Sequence, residues 1–412
     1  MVDRSQLGAQ DQEITSSPEQ EESPSPEPSF TSPSPPAPKK SRWPLVAGAM
    51  AALLVAGVIG GLLYSRRTTD TPRASRVKVG VMMAFSGGSS SMGYGAMKGI
   101  QLAKKQLGAE NIEIVQEDSR CDAKTAAESI KKLIAMKVVA IIGEGCSSAS
   151  VAALPAANNA KIPMISPSAS SPTLSIPNDY FFRTVPSDNY QGAFMAQTIY
   201  DEGIRNIAVF YTNEPYGSGM NAVFREKFEA LGGKVVATAT AEPDVINLES
   251  QITQLKNGKP QALFIAPNSV VTATAVVKLA REGGLTVPFF GADIMYDNTI
   301  ISNAPAASEG LTITSFPTGS KSFKQALVNE YQKTEQLYAA PQAYDIVHAL
   351  QIAIQRGART GEEIKNALPD IKFQGVSGKI AFDQNGEISD KNYKYDLFQV
   401  KDKTFTLLPQ GQ

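Results

Sequence analysis

Val138-Val139-Ala140-Ile141-Ile142-Gly143-Glu144-Gly145-Cys146-Ser147-Ser148-Ala149-Ser150 is the stretch whose reading decides the fold. An apolar run of strand length stops at Gly143, and an alanine-rich helix begins just after Ser147. A strand that runs through two glycines into a helix is a βα unit. Small hydroxyl residues then sit where helix-start amides point outward. That arrangement holds an anion or a carboxylate without a metal or a catalytic base. Cys146 in this turn is one of two cysteines in 412 residues. The other, Cys121, also follows a predicted strand, Asn111 to Asp118. If those strands are neighbours in one sheet, the two thiols can meet.

Working outward, βα units repeat. Strands are predicted at Val77–Met83, Ile112–Val115, Val138–Ile142 and Ile162–Ile165, with helices at Ala96–Leu107 and Ala123–Met136 and a third after Ser147. A second series begins near Asp188. Its strands are Ile207–Tyr211, Lys234–Ala239, Ala262–Ile265 and Val287–Phe290. Its helices are Gln191–Glu202, Ser218–Leu231, Leu248–Leu255 and Val270–Glu282. Helices near Lys321–Glu330 and Gln342–Gln355 and strands at Gly378–Phe382 and Tyr395–Val400 finish the chain. The expectation is an α/β protein of two Rossmann-like lobes with a ligand cleft between them.

The N-terminal part differs. Met1 to Pro38 is rich in Pro, Ser, Glu and Gln and reads as a disordered tail. Leu45 to Tyr64 runs without a charge for about 20 residues, the length that crosses a bilayer. Trp43 and Tyr64 flank it as interfacial anchors. The run is long for the core of a cleaved signal, and no small-x-small site follows it, so an uncleaved single-pass anchor is the preferred reading. The expected division is a tail at 1–43, a transmembrane helix at 44–64, a linker at 65–75 and a binding domain at 76–412. Within that domain, lobe 1 takes 76–187 and 317–368, and lobe 2 takes 188–316 and 369–412.

Composition excludes several functions. A net charge of −1, from 39 basic and 40 acidic residues, gives no case for nucleic acid. One histidine and two cysteines leave no ligand-spaced cluster for a metal. His348 lies in a helical stretch and is expected to pack rather than react. Gly143-x-Gly145-x-x-Ser148 approximates a dinucleotide fingerprint but lacks its third glycine and its later acid. Asp383-Gln384-Asn385-Gly386 reads as a turn rather than a calcium loop. No cofactor is implied, and no convincing base or nucleophile marks an enzyme.

In doubly wound sheets ligands bind beyond the carboxyl ends of the strands. The residues there are Ser86–Tyr94, Cys146-Ser147-Ser148, Ser166–Ser171, Asn213–Gly217, Pro267-Asn268-Ser269 and Gly291-Ala292-Asp293. Hydroxyls dominate the first lobe; the second offers an aromatic and an acid. The set suits a zwitterion, its carboxylate on hydroxyls and helix-start amides and its ammonium on carbonyls and an aspartate. Candidate ligand residues are Ser147, Ser148, Ser168, Ser170, Tyr216, Asp293, Tyr94 and Asn268.

From about Arg76 onward the chain resembles the periplasmic amino-acid-binding proteins of the branched-chain amino acid ABC transporter type. The resemblance rests on Val77-Lys78-Val79-Gly80 with Ser86-Gly87, Glu117–Asp122, Ile142–Ser148, Ile165–Ser170 and Pro215-Tyr216-Gly217, in that order. It implies two lobes joined by three crossings that close on ligand. It implies that Ser147 holds the ligand carboxylate, that the Ser168 carbonyl and Ser170 hydroxyl take the ammonium, that Tyr216 lies over the ligand and that Asp293 pairs with the ammonium. It implies a Cys121–Cys146 disulfide, whose loop of about 25 residues would contribute roughly 3.5 kcal/mol in the chain-entropy model. A disulfide needs an oxidising compartment, which places the lobes outside a bacterial plasma membrane. The partners implied are an amino acid and the permease and ATPase subunits of a transporter. The alternative is a membrane-tethered sensor using the same lobes. Met92 stands where leucine-type relatives often carry an aromatic, and none is found near Asn268, which implies a more polar pocket.

Overall fold

The structure is a computed structural model that describes residues 76–332, 338–388, 393 and 395–409. The proposed tail, apolar run and linker at 1–75 lie outside the described residues. Among the described residues no helix is long and apolar enough to cross a membrane.

The first sheet has the strand order β2-β1-β3-β4-β5, all parallel. Its strands are β1 (Val77–Met83), β2 (Ile112–Asp118), β3 (Ala140–Gly143), β4 (Met164–Ser166) and β5 (Phe181–Arg183). Six of the seven β1 residues are buried, as a strand covered on both faces requires. Helices α1 (Ser90–Gln106), α2 (Ala123–Ala135) and α3 (Ser147–Ala160) connect the strands.

The second sheet contains β6 (Asn206–Thr212), β7 (Lys234–Ala241), β8 (Ala262–Ala266), β9 (Phe289–Gly291), β10 (Thr312–Ser315), β13 (Asp396–Lys401) and β14 (Thr404–Leu407). Its order is β14-β13-β10-β9-β8-β6-β7, parallel except for the antiparallel β13 and β14 at one edge. Helices α4 (Asp188–Asp201), α5 (Pro215–Ala230), α6 (Glu249–Asn257), α7 (Val270–Glu282) and α8 (Asn298–Asn303) belong to this lobe. The chain then returns to the first lobe through α9 (Lys321–Tyr331), α10 (Ala340–Gln355) and α11 (Gly361–Ala367), followed by the hairpin β11 (Lys372–Gln374) and β12 (Lys379–Ala381).

Each lobe has its own hydrophobic core. One expected boundary is corrected. The segment from 369 was assigned to the second lobe, but Ile371, Ile380, Phe382 and Ile388 are buried in the first lobe's core. The Asp383–Gly386 turn explains the attachment. Gly386 has φ +75°, and a Cβ there would meet the Phe181 carbonyl. Its own carbonyl accepts the Arg183 N–H at 3.0 Å. The turn therefore docks on β5.

A third, small apolar cluster of Val185, Phe316 and Tyr395 takes one residue from each place where the chain passes between lobes. His348 packs against Phe373, ring centres 4.2 Å apart, and burial lowers its pKa. Its surroundings are those of a packing residue.

Candidate functional site

Both sheets have a point where neighbouring strands send their following helices to opposite faces. In the first sheet it lies between β1 and β3, and in the second between β6 and β8. A crevice opens at the carboxyl end of each such point. The loops after these four strands meet across one cleft. Its lining is Met92, Gly145, Cys146, Ser147, Ser168 and Tyr338 from the first lobe, and Tyr216, Asn268, Asp293 and Ile294 from the second.

The first-lobe wall is the start of α3. Cys146 is its N-cap in extended conformation and supplies no side-chain cap. The first-turn amides are thus left without a capping side chain. Ser147 is buried, and its hydroxyl accepts the Ser171 N–H at 3.1 Å. With its lone pair engaged, that hydroxyl can turn its proton toward an anion in the cleft. Cys146 is bonded to Cys121, Cα atoms 5.5 Å apart. The disulfide ties the loop after β2 to the turn after β3, and the Asn268 amide of the second lobe reaches Cys121 Sγ at 3.7 Å.

Asp293 anchors the opposite wall. It is buried and accepts the Tyr216 hydroxyl at 2.7 Å and the Tyr338 hydroxyl on its other oxygen. Tyr216 is placed by the cap of α5: Glu214 accepts the Tyr216 and Gly217 amides at 2.8 and 2.6 Å. Gly217 is required there, because a Cβ would lie 2.2 Å from the Thr212 carbonyl. Burial pushes the Asp293 carboxyl up, and burial with Asp293 alongside pushes Tyr216 and Tyr338 well up. Asp188, at the start of α4, is fully buried and is pushed well up by burial and then by Asp293. The Ser170 hydroxyl hydrogen-bonds to this carboxyl and works against the rise. Among the described residues the cleft lining carries the Asp293 carboxylate and no Lys, Arg or His. A ligand ammonium would supply a positive charge opposite that buried carboxylate.

The sequence-predicted residues divide. Ser147, Ser168, Tyr216, Asn268 and Asp293 line one cavity. Ser148 lines an adjoining pocket at the cleft edge, with Asn268 again on its wall. Ser170 is fully buried and outside the lining, its carbonyl taking the Asp188 N–H at 2.8 Å. Tyr94 does not line the cavity; it is half-exposed on α1 and meets Phe85 edge-on at 5.9 Å. Tyr338 and Ile294 were missed. Ile294 directly follows Asp293, so the strand-end rule could have found it. Tyr338 follows no strand, and its sequence carries no signal of this kind.

The lobes touch at several further points. The Ser91 hydroxyl donates to Asp297 at 2.6 Å, that of Ser89 to the Asn268 carbonyl at 3.2 Å, and that of Ser171 to the Pro215 carbonyl at 2.8 Å.

Comparison with known proteins agrees with this architecture. The family model described as "Periplasmic binding protein" matches residues 76–404. A leucine-, isoleucine-, valine-, threonine- and alanine-binding protein of Pseudomonas aeruginosa is 25% identical over 377 residues, covering 87% of this chain and 97% of that protein. The structure of a leucine-binding protein from Thermotoga maritima superposes with TM-score 0.75 at 28% identity, over 81% of this chain and 98% of that one. A branched-chain amino acid transporter substrate-binding protein from Streptococcus pneumoniae, solved with isoleucine, gives TM-score 0.73 at 25% identity, over 81% and 99%. With two such lobes and a family model spanning both, the chain belongs to the periplasmic binding protein family.

Proposed function

We propose that this protein binds a free α-amino acid between its lobes, outside the cytoplasm, and delivers it to an ABC permease and its ATPase. The observation that carries this reading is the pairing of opposite chemistries across one cavity. The uncapped start of α3 with Ser147 faces a buried Asp293 held by two tyrosines. A zwitterion satisfies both ends; a simple anion or a simple amine satisfies one. The named ligands of the relatives, leucine, isoleucine and other amino acids, support the same class. Ser168 is assigned as a backbone acceptor for the ammonium; Ser170, outside the cavity lining, is left without a ligand contact. The role is binding, not catalysis. The apolar run Leu45–Tyr64 is assigned as an uncleaved anchor in the plasma membrane.

Ser147→Ala is expected to weaken amino-acid binding by about 1.5–3 kcal/mol, the worth of a hydrogen bond to a charged group. Calorimetric titration of wild type and variant measures it. Unchanged affinity would remove Ser147 from the site.

The sensor reading is favoured by one feature, the tail and apolar run that precede the lobes. Co-purification from membranes separates the two. A permease and ATPase recovered with the tagged chain supports delivery, and recovery of a signalling partner instead supports sensing.

A further inference from the structure

Glu144 lies directly beneath the turn that forms the first-lobe wall. It is fully buried. One carboxylate oxygen accepts the Cys146 N–H at 2.7 Å, and the other accepts the Ser119 hydroxyl at 2.9 Å. Its own carbonyl accepts the hydroxyls of Ser166 at 2.6 Å and Ser150 at 3.2 Å. One residue thus ties together the loops after β2 and β3, the end of β4 and the first turn of α3.

We propose that Glu144 braces the carboxylate-binding turn and that its charge sets how tightly the turn holds an anion, so that amino-acid affinity falls when this carboxyl ionises. This rests on the reading that the ligand's carboxylate sits on Ser147.

The physical reasoning is local. An ionised Glu144 places a negative charge at the same helix start that must attract the ligand's carboxylate. It offsets the positive end of α3 and repels the incoming anion through a poorly screened interior. Protonation removes the charge and keeps the frame. A neutral carboxyl still accepts from the Cys146 amide with one oxygen and donates to Ser119 with the other, the serine hydroxyl reversing its role. Burial is the main reason this carboxyl is held up at about 7, against its hydrogen bonds to Cys146 and Ser119, which lower it.

The charged group acting on it from the neighbouring β2 is Asp118, which adds to the rise. Arg120 and Asp122 follow on the same loop, toward the outer pocket. Ser166 of β4, Ser150 of α3 and the methionines at the end of β1 bring no charge. Across the cleft stands Asp293; Asp188 and Glu214 lie outside the cavity lining, and burial pushes all three up. Asp293, the acid on the lining, acts with the opposite sign. An acid that faces the ligand's ammonium binds better when ionised, so it makes affinity rise with pH. The sign of the dependence therefore separates Glu144 from Asp293.

The test is calorimetric titration of the full chain between about pH 5.5 and 8.5, a range in which a free amino acid, whose amine is more basic than a peptide's α-amino group, stays mostly zwitterionic. L-leucine is the probe; if it does not bind, the probe is the common amino acid giving the largest thermal shift. Wild type is expected to bind roughly tenfold more weakly at the upper end than at the lower. Glu144→Gln, neutral and of the same shape, should lose that fall and keep the acid-side affinity. Ser119→Ala removes a bond that favours the ionised form over the neutral one, so it should move the midpoint to higher pH. It also keeps the test open if Glu144→Gln fails to fold. Identical profiles for wild type and Glu144→Gln, or an unmoved midpoint in Ser119→Ala, overturn the proposal while amino-acid binding stands. Failure of every amino acid to bind at any pH overturns the underlying reading, and the proposal with it.

Discussion

Asp293→Ala is expected to weaken binding of an α-amino acid by about 2–5 kcal/mol while leaving the same compound without its amine nearly unaffected. Asp293 is the buried carboxylate on the second-lobe wall, opposite the start of α3. Removing it strands the ligand's ammonium in a cleft whose lining offers no other carboxylate among the described residues. The Tyr216 and Tyr338 hydroxyls would lose their acceptor too, so part of any loss is structural. Asp293→Asn keeps an acceptor for a tyrosine and isolates the charge. Calorimetry with a matched amino acid and deaminated acid reads the difference. Equal weakening of both by Asp293→Asn would assign Asp293 to the frame rather than to the ligand.

The second large effect is on stability. Arg183→Met is expected to destabilise the protein by about 3–5 kcal/mol, the usual cost of removing one partner of a buried ion pair. The Arg183 side chain is fully buried, with Glu387 mostly so. Nε and one terminal nitrogen each donate to Glu387 at 2.7 Å. The other terminal nitrogen donates to the Ser171 carbonyl at 3.0 Å. The pair thus locks the Asp383–Gly386 turn onto β5 and steadies the loop that carries Ser168 and Ser170. Chemical denaturation measures the loss. Pairing Arg183→Met with Glu387→Leu should recover much of it, because no uncompensated charge then remains. A loss below about 1 kcal/mol in the single variant would show that water replaces the arginine at little cost.

Much of this was legible in the sequence, and the reason lies in chain geometry. The Ile141–Ser148 stretch announces a buried strand, a turn and a helix start, and the place of that turn on the cleft wall follows from those alone. The place of Asp293 on the cleft was legible because it follows Phe289–Gly291 in the same way. Short strands with polar residues were not. Phe181–Arg183 ends in a buried arginine, and Thr312–Ser315 buries three hydroxyl residues, so neither reads as an apolar run. The start of α1 was set six residues late, because Ser90–Gly95 has the composition of a loop. Lobe membership of 369–388 was misread because it depends on Ile371 and Ile380 finding the first core, a long-range choice that no local pattern encodes. Tyr338 was missed for the same reason: its hydroxyl reaches Asp293, 45 residues away, across the cleft.

The central claim is that one cleft recognises both charged ends of an amino acid. Thermal unfolding of the full chain with the common amino acids, and then with the best of them lacking either its amine or its carboxylate, tests it most directly. The expected result is a raised midpoint with the intact amino acid and little or no rise with either truncated form. A truncated form that stabilises the protein as well as the parent, or a midpoint that no amino acid moves, would contradict the account.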